Sequence, residues 1–378
     1  MSSARGTMRM TMADMADLAD AIPGAYRLEN ADTYLTPAAH VLEATRAAVG
    51  VDEFNSYLPL RGLRALREAI AARLRADIGV EYDPEGEIVV TCGAGESLLN
   101  ALLATVAPGD RVLLTNPTYS GMAQRVRLAG GIQAFTDLVD DGARWSLDPA
   151  SVPRDCRVAL IASPCMPTGT VFTRAELDAL IGDDALVIFN ASADKVVFDG
   201  GTLAHPATYA RERTLVVGCV SKNYGMPGWR IGWTAGPRAL VAPLEDVHIF
   251  NTCMASGFAQ AGAAAALSGP QEWQQESVAA YEACRDAFLA AIAEEPALRA
   301  NRPEGGYYLL IDVAATGLDA HAFAEELLRE TAVAVTPMAG WGADDFGSTH
   351  VRVIFTNEPP ERLREAGERI VAFARSRL

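Results

Sequence analysis

Residues 87–116 run Glu87-Ile88-Val89-Val90-Thr91-Cys92-Gly93-Ala94-Gly95-Glu96-Ser97, then LLNALLATVAPGD, then Arg111-Val112-Leu113-Leu114-Thr115-Asn116. Two short β-branched runs enclose a helical segment, and the turn between the first run and the helix is rich in glycine. The pattern recurs downstream at VALIA (158–162), ALVIF (185–189), TLVVG (214–218) and IGWTAG (231–236). Fully apolar strands punctuated by helices predict a mostly parallel sheet between layers of helices, an α/β architecture. In such sheets ligands bind beyond the carboxyl ends of the strands. Here those ends carry Thr91-Cys92-Gly93, Asn116-Pro117, Ser163-Pro164, Asn190 and Ser221-Lys222.

Beyond about residue 270 the texture changes. Residues 272–295 read as one long amphipathic helix, followed by GGYYLLIDV (305–313), a helix near His321–Glu330, HVRVIFT (350–356) and a last helix from Pro360. This predicts a large domain over residues 46–268. A smaller α+β domain is made from residues 1–45, an N-terminal arm, together with 269–378. No repeat and no linker rich in Gly, Pro or Ser divides the chain otherwise.

The 378 residues carry a net charge of −16, which sets the protein's own field against a phosphate backbone and makes nucleic acid an unexpected partner. The longest apolar stretches, such as Ala261–Leu267, fall short of the ~20 residues that span a bilayer, and the Met-rich start is interrupted by acids. No membrane partner and a cytoplasmic location are the expectation. Six scattered cysteines with no C-x-x-C pair, and five histidines far apart, predict neither a disulfide framework nor a metal site. Of the 32 basic residues only Lys195 and Lys222 are lysines. A lysine kept in so arginine-rich a chain points to chemistry that a guanidinium cannot do, since an ammonium can lose its proton and form a Schiff base. Lys195, near the end of a strand, reads as a solvated surface lysine.

The Gly93-Ala94-Gly95-Glu96-Ser97 turn opens a helix, a place where unpaired backbone N–H groups hold phosphate. It lacks the G-x-G-x-x-G spacing of a dinucleotide site and the lysine of a P-loop. Further on, Ser221-Lys222-Asn223-Tyr224-Gly225-Met226-Pro227-Gly228-Trp229-Arg230-Ile231-Gly232 places a lysine after a buried strand with an arginine eight residues later.

With S-K-x-x-x-x-x-G-x-R-x-G matched at Ser221, Lys222, Gly228, Arg230 and Gly232, the chain resembles the class I/II aminotransferases over roughly residues 25–375. These are fold-type I enzymes that use pyridoxal 5′-phosphate (PLP). The resemblance implies that Lys222 is the Schiff-base lysine, and that Arg230, Ser221 and the turn Gly93, Ala94, Gly95 hold the PLP phosphate. It implies that Tyr119 stacks on the pyridine ring, that Arg352 in His350-Val351-Arg352-Val353 binds the substrate α-carboxylate, and that Asn30 lines the substrate pocket. Tyr57, in Tyr57-Leu58-Pro59-Leu60-Arg61-Gly62, looks like the tyrosine lent across a homodimer to the partner's phosphate. Glu29 and Asp32 beside Asn30 read as solvated acids of the arm.

Departures from the family pattern are informative. Where the family has N-P-x-N-P-T-G this chain has Ser163-Pro164-Cys165-Met166-Pro167-Thr168-Gly169, and where it has Asp-x-x-Tyr this chain has Asn190-Ala191-Ser192-Ala193. Met166 and Ala193 then replace the two donors to the PLP phenolic oxygen. Asn190 replaces the acid that keeps the pyridine nitrogen protonated; a neutral amide can hydrogen-bond an unprotonated nitrogen but cannot stabilise a pyridinium by charge. A different register would let Asp194 or Asp199 reach the ring instead. Three functions are compatible with this pattern: an aminotransferase acting on an α-amino acid; a PLP enzyme that eliminates, replaces, cyclises, racemises or oxidises; and a catalytically silent PLP-fold binding protein. The first is favoured by the resemblance, the second by loss of the acid, and the third is opposed by Lys222, Arg230 and Arg352 together.

Overall fold

The computed structural model describes residues 12–142, 144–343 and 346–378, so the Met-rich start up to residue 11 lies outside the described residues. In chain order the strands are β1 (Tyr26–Arg27), β2 (Ile88–Thr91), β3 (Arg111–Asn116), β4 (Ile132–Asp140), β5 (Trp145–Leu147), β6 (Val158–Ala162) and β7 (Leu186–Asn190). They continue as β8 (Thr214–Cys219), β9 (Gly232–Ala235), β10 (Arg299–Ala300), β11 (Tyr308–Asp312), β12 (Val333–Ala334), β13 (Thr336–Pro337) and β14 (His350–Ile354).

Eight of them form one sheet in the order β2-β9-β8-β7-β6-β3-β4-β5. The pairs β3/β4, β3/β6, β6/β7 and β7/β8 are parallel. Strand β9 runs antiparallel to both β8 and β2, and β5 antiparallel to β4. Because β9 reverses between them, β2 points the same way as β8, so the carboxyl ends of β2, β3, β6, β7 and β8 emerge on one edge. The apolar runs sit where their composition demands. Strands β2, β6 and β8 are buried along their whole length, and each fully buried Leu or Ile contributes about 1.5–3 kcal/mol relative to exposure. Strand β4 alternates exposed and buried positions because its outer neighbour β5 is only three residues long.

A second, antiparallel sheet has the order β10-β11-β14-β13 and packs against the helices Glu272–Ile292, Ala320–Thr331 and Pro360–Arg375. Its core gathers Tyr281, Phe288, Phe323, Val351, Val353 and Phe373 with Met15 and Leu28 from the N-terminal arm, and also Val196 and Phe198 from the segment after β7. Parallel pairing of β1 with β12, and bonds from Leu28 N to Ala334 O (3.0 Å) and Ile354 N to Leu28 O (2.8 Å), fix the arm beside β14. Among the described residues all six cysteines are free, no group of side chains could hold a metal ion, and no helix is long and apolar enough to cross a membrane.

Candidate active site

The carboxyl edge of the large sheet faces a cleft of about 290 Å³. Residues at the ends of β2, β3, β6, β7 and β8 line it, and β11 and β14 of the second sheet supply Tyr308 and Arg352. Of the residues singled out in the sequence, Asn30, Ala94, Gly95, Tyr119, Asn190, Ser221, Lys222, Arg230 and Arg352 all line this cleft. Gly93 adjoins it. Tyr57 does not line it and is 87% exposed.

At one end, the helix Ala94–Thr105 begins directly after Gly93, whose φ of +85° suits a residue without a Cβ. A Cβ there would lie 2.3 Å from Arg230 Nη2, and one on Gly232 would lie 2.5 Å from the Gly93 carbonyl carbon. Gly93 must be bare for Arg230 to lie across the helix start, and Gly232 must be bare for β9 to pass against the backbone of that start. Arg230 donates from Nη1 to Pro227 O (3.1 Å) and carries no carboxylate partner among the described residues. The helix N-terminus, the Ser221 hydroxyl and an uncompensated guanidinium together fit a phosphate. Arg125, which sequence reading passed over, adds a second cation here: its Nε donates to Gly95 O (2.9 Å) and its Nη1 to Gly121 O (2.7 Å). An arginine on an amphipathic helix gives no local signal to separate it from a solvated one.

Beneath the cradle, Glu96 is locked by four donors. Asn100 Nδ2 (2.8 Å), Thr252 Oγ1 (2.6 Å) and His248 Nδ1 (2.6 Å) meet Oε1, and the Cys92 amide (2.5 Å) meets Oε2. The other His248 nitrogen faces Leu60 O at 3.0 Å, so the cradle is tied to the segment that bears Tyr57. Burial works to raise the Glu96 carboxyl, but the bonds from His248, Thr252 and Cys92 outweigh it and hold the group at about 2. A depressed carboxylate contributes stability that is fully present above its ordinary value and is lost as pH falls towards the folded-state value. Glu96→Gln is therefore expected to lower Tm at neutral pH and to flatten the acid limb of the Tm–pH curve below about pH 4.5. Calorimetry across that range checks it, and an unchanged acid limb would refute it.

Lys222 sits in the four-residue helix Val220–Asn223, immediately after β8. Its carbonyl accepts from the Tyr307 hydroxyl (2.6 Å), and the Asn223 side chain donates to Asp194 Oδ1 (2.7 Å), fixing the turn from both sides. No hydrogen bond or ion pair engages Nζ among the described residues. Lys195 is corrected by the structure. Rather than a solvated surface lysine it is three-quarters buried, with Nζ 2.9 Å from Asp77 Oδ2. The partner comes from a helix distant in sequence, which local pattern could not reveal.

The alternative registers for the acid also resolve geometrically. Asp194 is half-buried and accepts from the Asn223 side chain at 2.7 Å, and Asp199 pairs with Arg285 at 2.8 Å; neither lines the cleft, whereas Asn190 does. Met166 and Ala193 line it too, so no amide or phenol stands at those two positions.

Arg352 lies in β14 with Leu310 opposite on β11 and Thr336 on β13. Its Nη2 donates to Glu29 O (2.5 Å) and Thr336 Oγ1 (3.1 Å), and the guanidinium lies 4.6 Å from the Trp341 ring. Burial lowers it to about 10, so it stays cationic at neutral pH. Glu29 is likewise corrected. It is fully buried and paired with Arg27 at 2.6 Å, so this acid is structural and leaves Asn30 as the polar residue of the arm that reaches the cleft.

The family described as aminotransferase class I and II matches residues 24–370. The chain is 33% identical over 332 residues to an arginine–pyruvate transaminase of Pseudomonas aeruginosa, covering 84% of this chain and 82% of that one. It is 29% identical over 354 residues to an aspartate aminotransferase of Geobacillus stearothermophilus, covering 89% and 88%. Among solved structures it is similar to N-succinyldiaminopimelate aminotransferase from Mycobacterium tuberculosis, with a TM-score of 0.89, 31% identity and 96% of each chain covered.

Proposed function

The chain belongs to the class I and II aminotransferase family, whose members depend on PLP, and we propose that it transfers the amino group of an α-amino acid using PLP anchored on Lys222. The observation that carries this reading is the convergence in one cleft of an unpaired lysine amine, a phosphate-sized cationic cradle and a buried arginine on the far wall. The bare positions at Gly93 and Gly232 support the fit, because a side chain on Gly93 would displace Arg230 from the cradle and one on Gly232 would push against the Gly93–Ala94 backbone that opens the helix.

When bound, PLP supplies a carbon that takes up the substrate amine and a ring that draws electron density from the substrate Cα. This chain's residues do the rest. Arg230, Arg125, Ser221 and the Ala94 and Gly95 amides would hold the phosphate; Tyr119 would orient the ring; Arg352 would fix the substrate carboxylate; and Lys222 Nζ would move the proton at Cα as base and then acid. On this reading residues 46–268 form the cofactor-binding part, while 1–45 with 269–378 carry the carboxylate arginine. Borohydride reduction of the holoenzyme followed by peptide mapping tests it. The cofactor is expected on the Lys222 peptide, and an adduct on Lys195 or none at all would overturn the proposal.

A homodimer is part of the same reading. Tyr57 and Phe250 are 87% and 89% exposed, and the elements that bear them are joined by Arg61–Glu245 (2.8 Å) and His248–Leu60. Two large aromatics on adjoining surface elements, both largely exposed among the described residues, suit a two-fold interface that delivers Tyr57 to the partner's cradle. Phe250→Glu is expected to weaken the dimer by about tenfold or more in Kd, since it places a charge in an apolar contact. Light scattering at micromolar concentration reads this out, and a wild-type monomer with full cofactor occupancy would refute the dimer.

A further inference from the structure

Asn190 ends β7 with its side chain fixed at both ends. Oδ1 accepts from the Ser192 amide at 3.2 Å and from the Ser192 hydroxyl at 2.5 Å, and Nδ2 turns towards Met122 Sδ at 3.7 Å. Amide oxygen and nitrogen are assigned from the bonds they make, and here the assignment is forced. A backbone N–H can only donate, so flipping the amide would set two donors against each other at Ser192. The NH2 group is left on the side of Met122, which lines the cleft together with Asn190 itself.

The cleft around this amide carries charge of one sign only. Among the described residues lining it there are four cationic side chains, Arg125, Lys222, Arg230 and Arg352, and no Asp or Glu. A further positive charge on the ring nitrogen of a bound cofactor would find no carboxylate counter-ion among these lining residues. Donor geometry and field therefore act in the same direction.

We propose that Ser192 is a positioning residue that locks the Asn190 amide with its NH2 towards the cleft, making the ring-nitrogen subsite a hydrogen-bond donor that holds the pyridine nitrogen of PLP unprotonated. This rests on the assignment of the cleft to PLP and gives the proposed aminotransferase a specific character. An unprotonated ring draws less electron density from the substrate Cα, so proton removal by Lys222 is slowed relative to a site with an acid at position 190. Asn190→Asp reverses the arrangement at one stroke: the carboxylate still accepts both Ser192 bonds and brings the missing negative charge to the same point.

The test uses holoenzyme reconstituted with PLP labelled with nitrogen-15 in the ring. In the wild type the ring signal is expected at the position of a neutral pyridine, and in Asn190→Asp at that of a pyridinium. The rate of the amino-acid half-reaction in Asn190→Asp should rise on the order of tenfold or more. Ser192→Ala, which removes one of the two bonds to Oδ1, should shift or broaden the ring signal without releasing the cofactor. A pyridinium signal in the wild type with PLP fixed on Lys222 overturns this inference and leaves the proposed function standing. A Ser192→Ala signal identical to the wild type overturns the role of the hydroxyl. Failure of borohydride to fix PLP on Lys222 overturns the functional proposal and the inference with it.

Discussion

Lys222→Ala should lose at least about four orders of magnitude in turnover, because under the proposed function one side chain both anchors the cofactor and shuttles the proton at the substrate Cα. The chain offers no substitute. Its one other lysine, Lys195, is held 2.9 Å from Asp77 and lines a separate small cavity rather than the cleft. Lys222→Arg should be no better, since a guanidinium stays protonated and cannot act as the base. Folding should survive either change. What fixes the helix Val220–Asn223 is the Lys222 carbonyl, held by the Tyr307 hydroxyl, and the Asn223 side chain, and the amine takes no part. Turnover measured with a panel of amino acids, alongside Tm, separates the two effects. A variant that retains a tenth of wild-type turnover at unchanged Tm would remove Lys222 from the chemistry.

The residues that were readable in advance share a physical property: their environment is encoded next to them in the chain. Strands β2, β3, β6, β7 and β8 were legible within a residue or two because burial on both faces demands unbroken apolar runs. Strand β4 was not, because half of its positions face outward and GGIQAFTDLVDD carries no such run. Strand β9 was read as a strand, but its reversed direction between β8 and β2 leaves no mark in its composition. In the site, the lysine–arginine spacing and the glycine turn are local patterns. The places of Arg125, Ser192 and Tyr308 on the cleft wall come from which loops converge, and the burial of Glu29 and Lys195 comes with partners that local pattern does not mark. Those pairings are properties of the folded chain.

Arg352→Lys is expected to cut kcat/KM for α-amino acids by about a hundredfold, the loss of one charge-assisted hydrogen bond together with its geometry. Arg352 is 1% exposed, so a substrate carboxylate meeting it is stripped of water and depends on the planar fork for its replacement bonds. The shorter ammonium keeps the charge, but it loses the contact with Trp341 and cannot at once reach Glu29 O, Thr336 Oγ1 and a ligand. Burial already lowers the guanidinium to about 10, and a lysine in the same surroundings starts from a lower value and would be closer to neutral at working pH. PLP should remain bound, because the phosphate cradle lies at the other end of the cleft, so cofactor absorbance is the internal control. The decisive comparison is between amino acids and the corresponding amines without a carboxylate. Wild type should strongly prefer the acids and Arg352→Lys should narrow that preference. If amines serve the wild type equally well, Arg352 does not read the carboxylate, and its burial between β11 and β13 is purely structural.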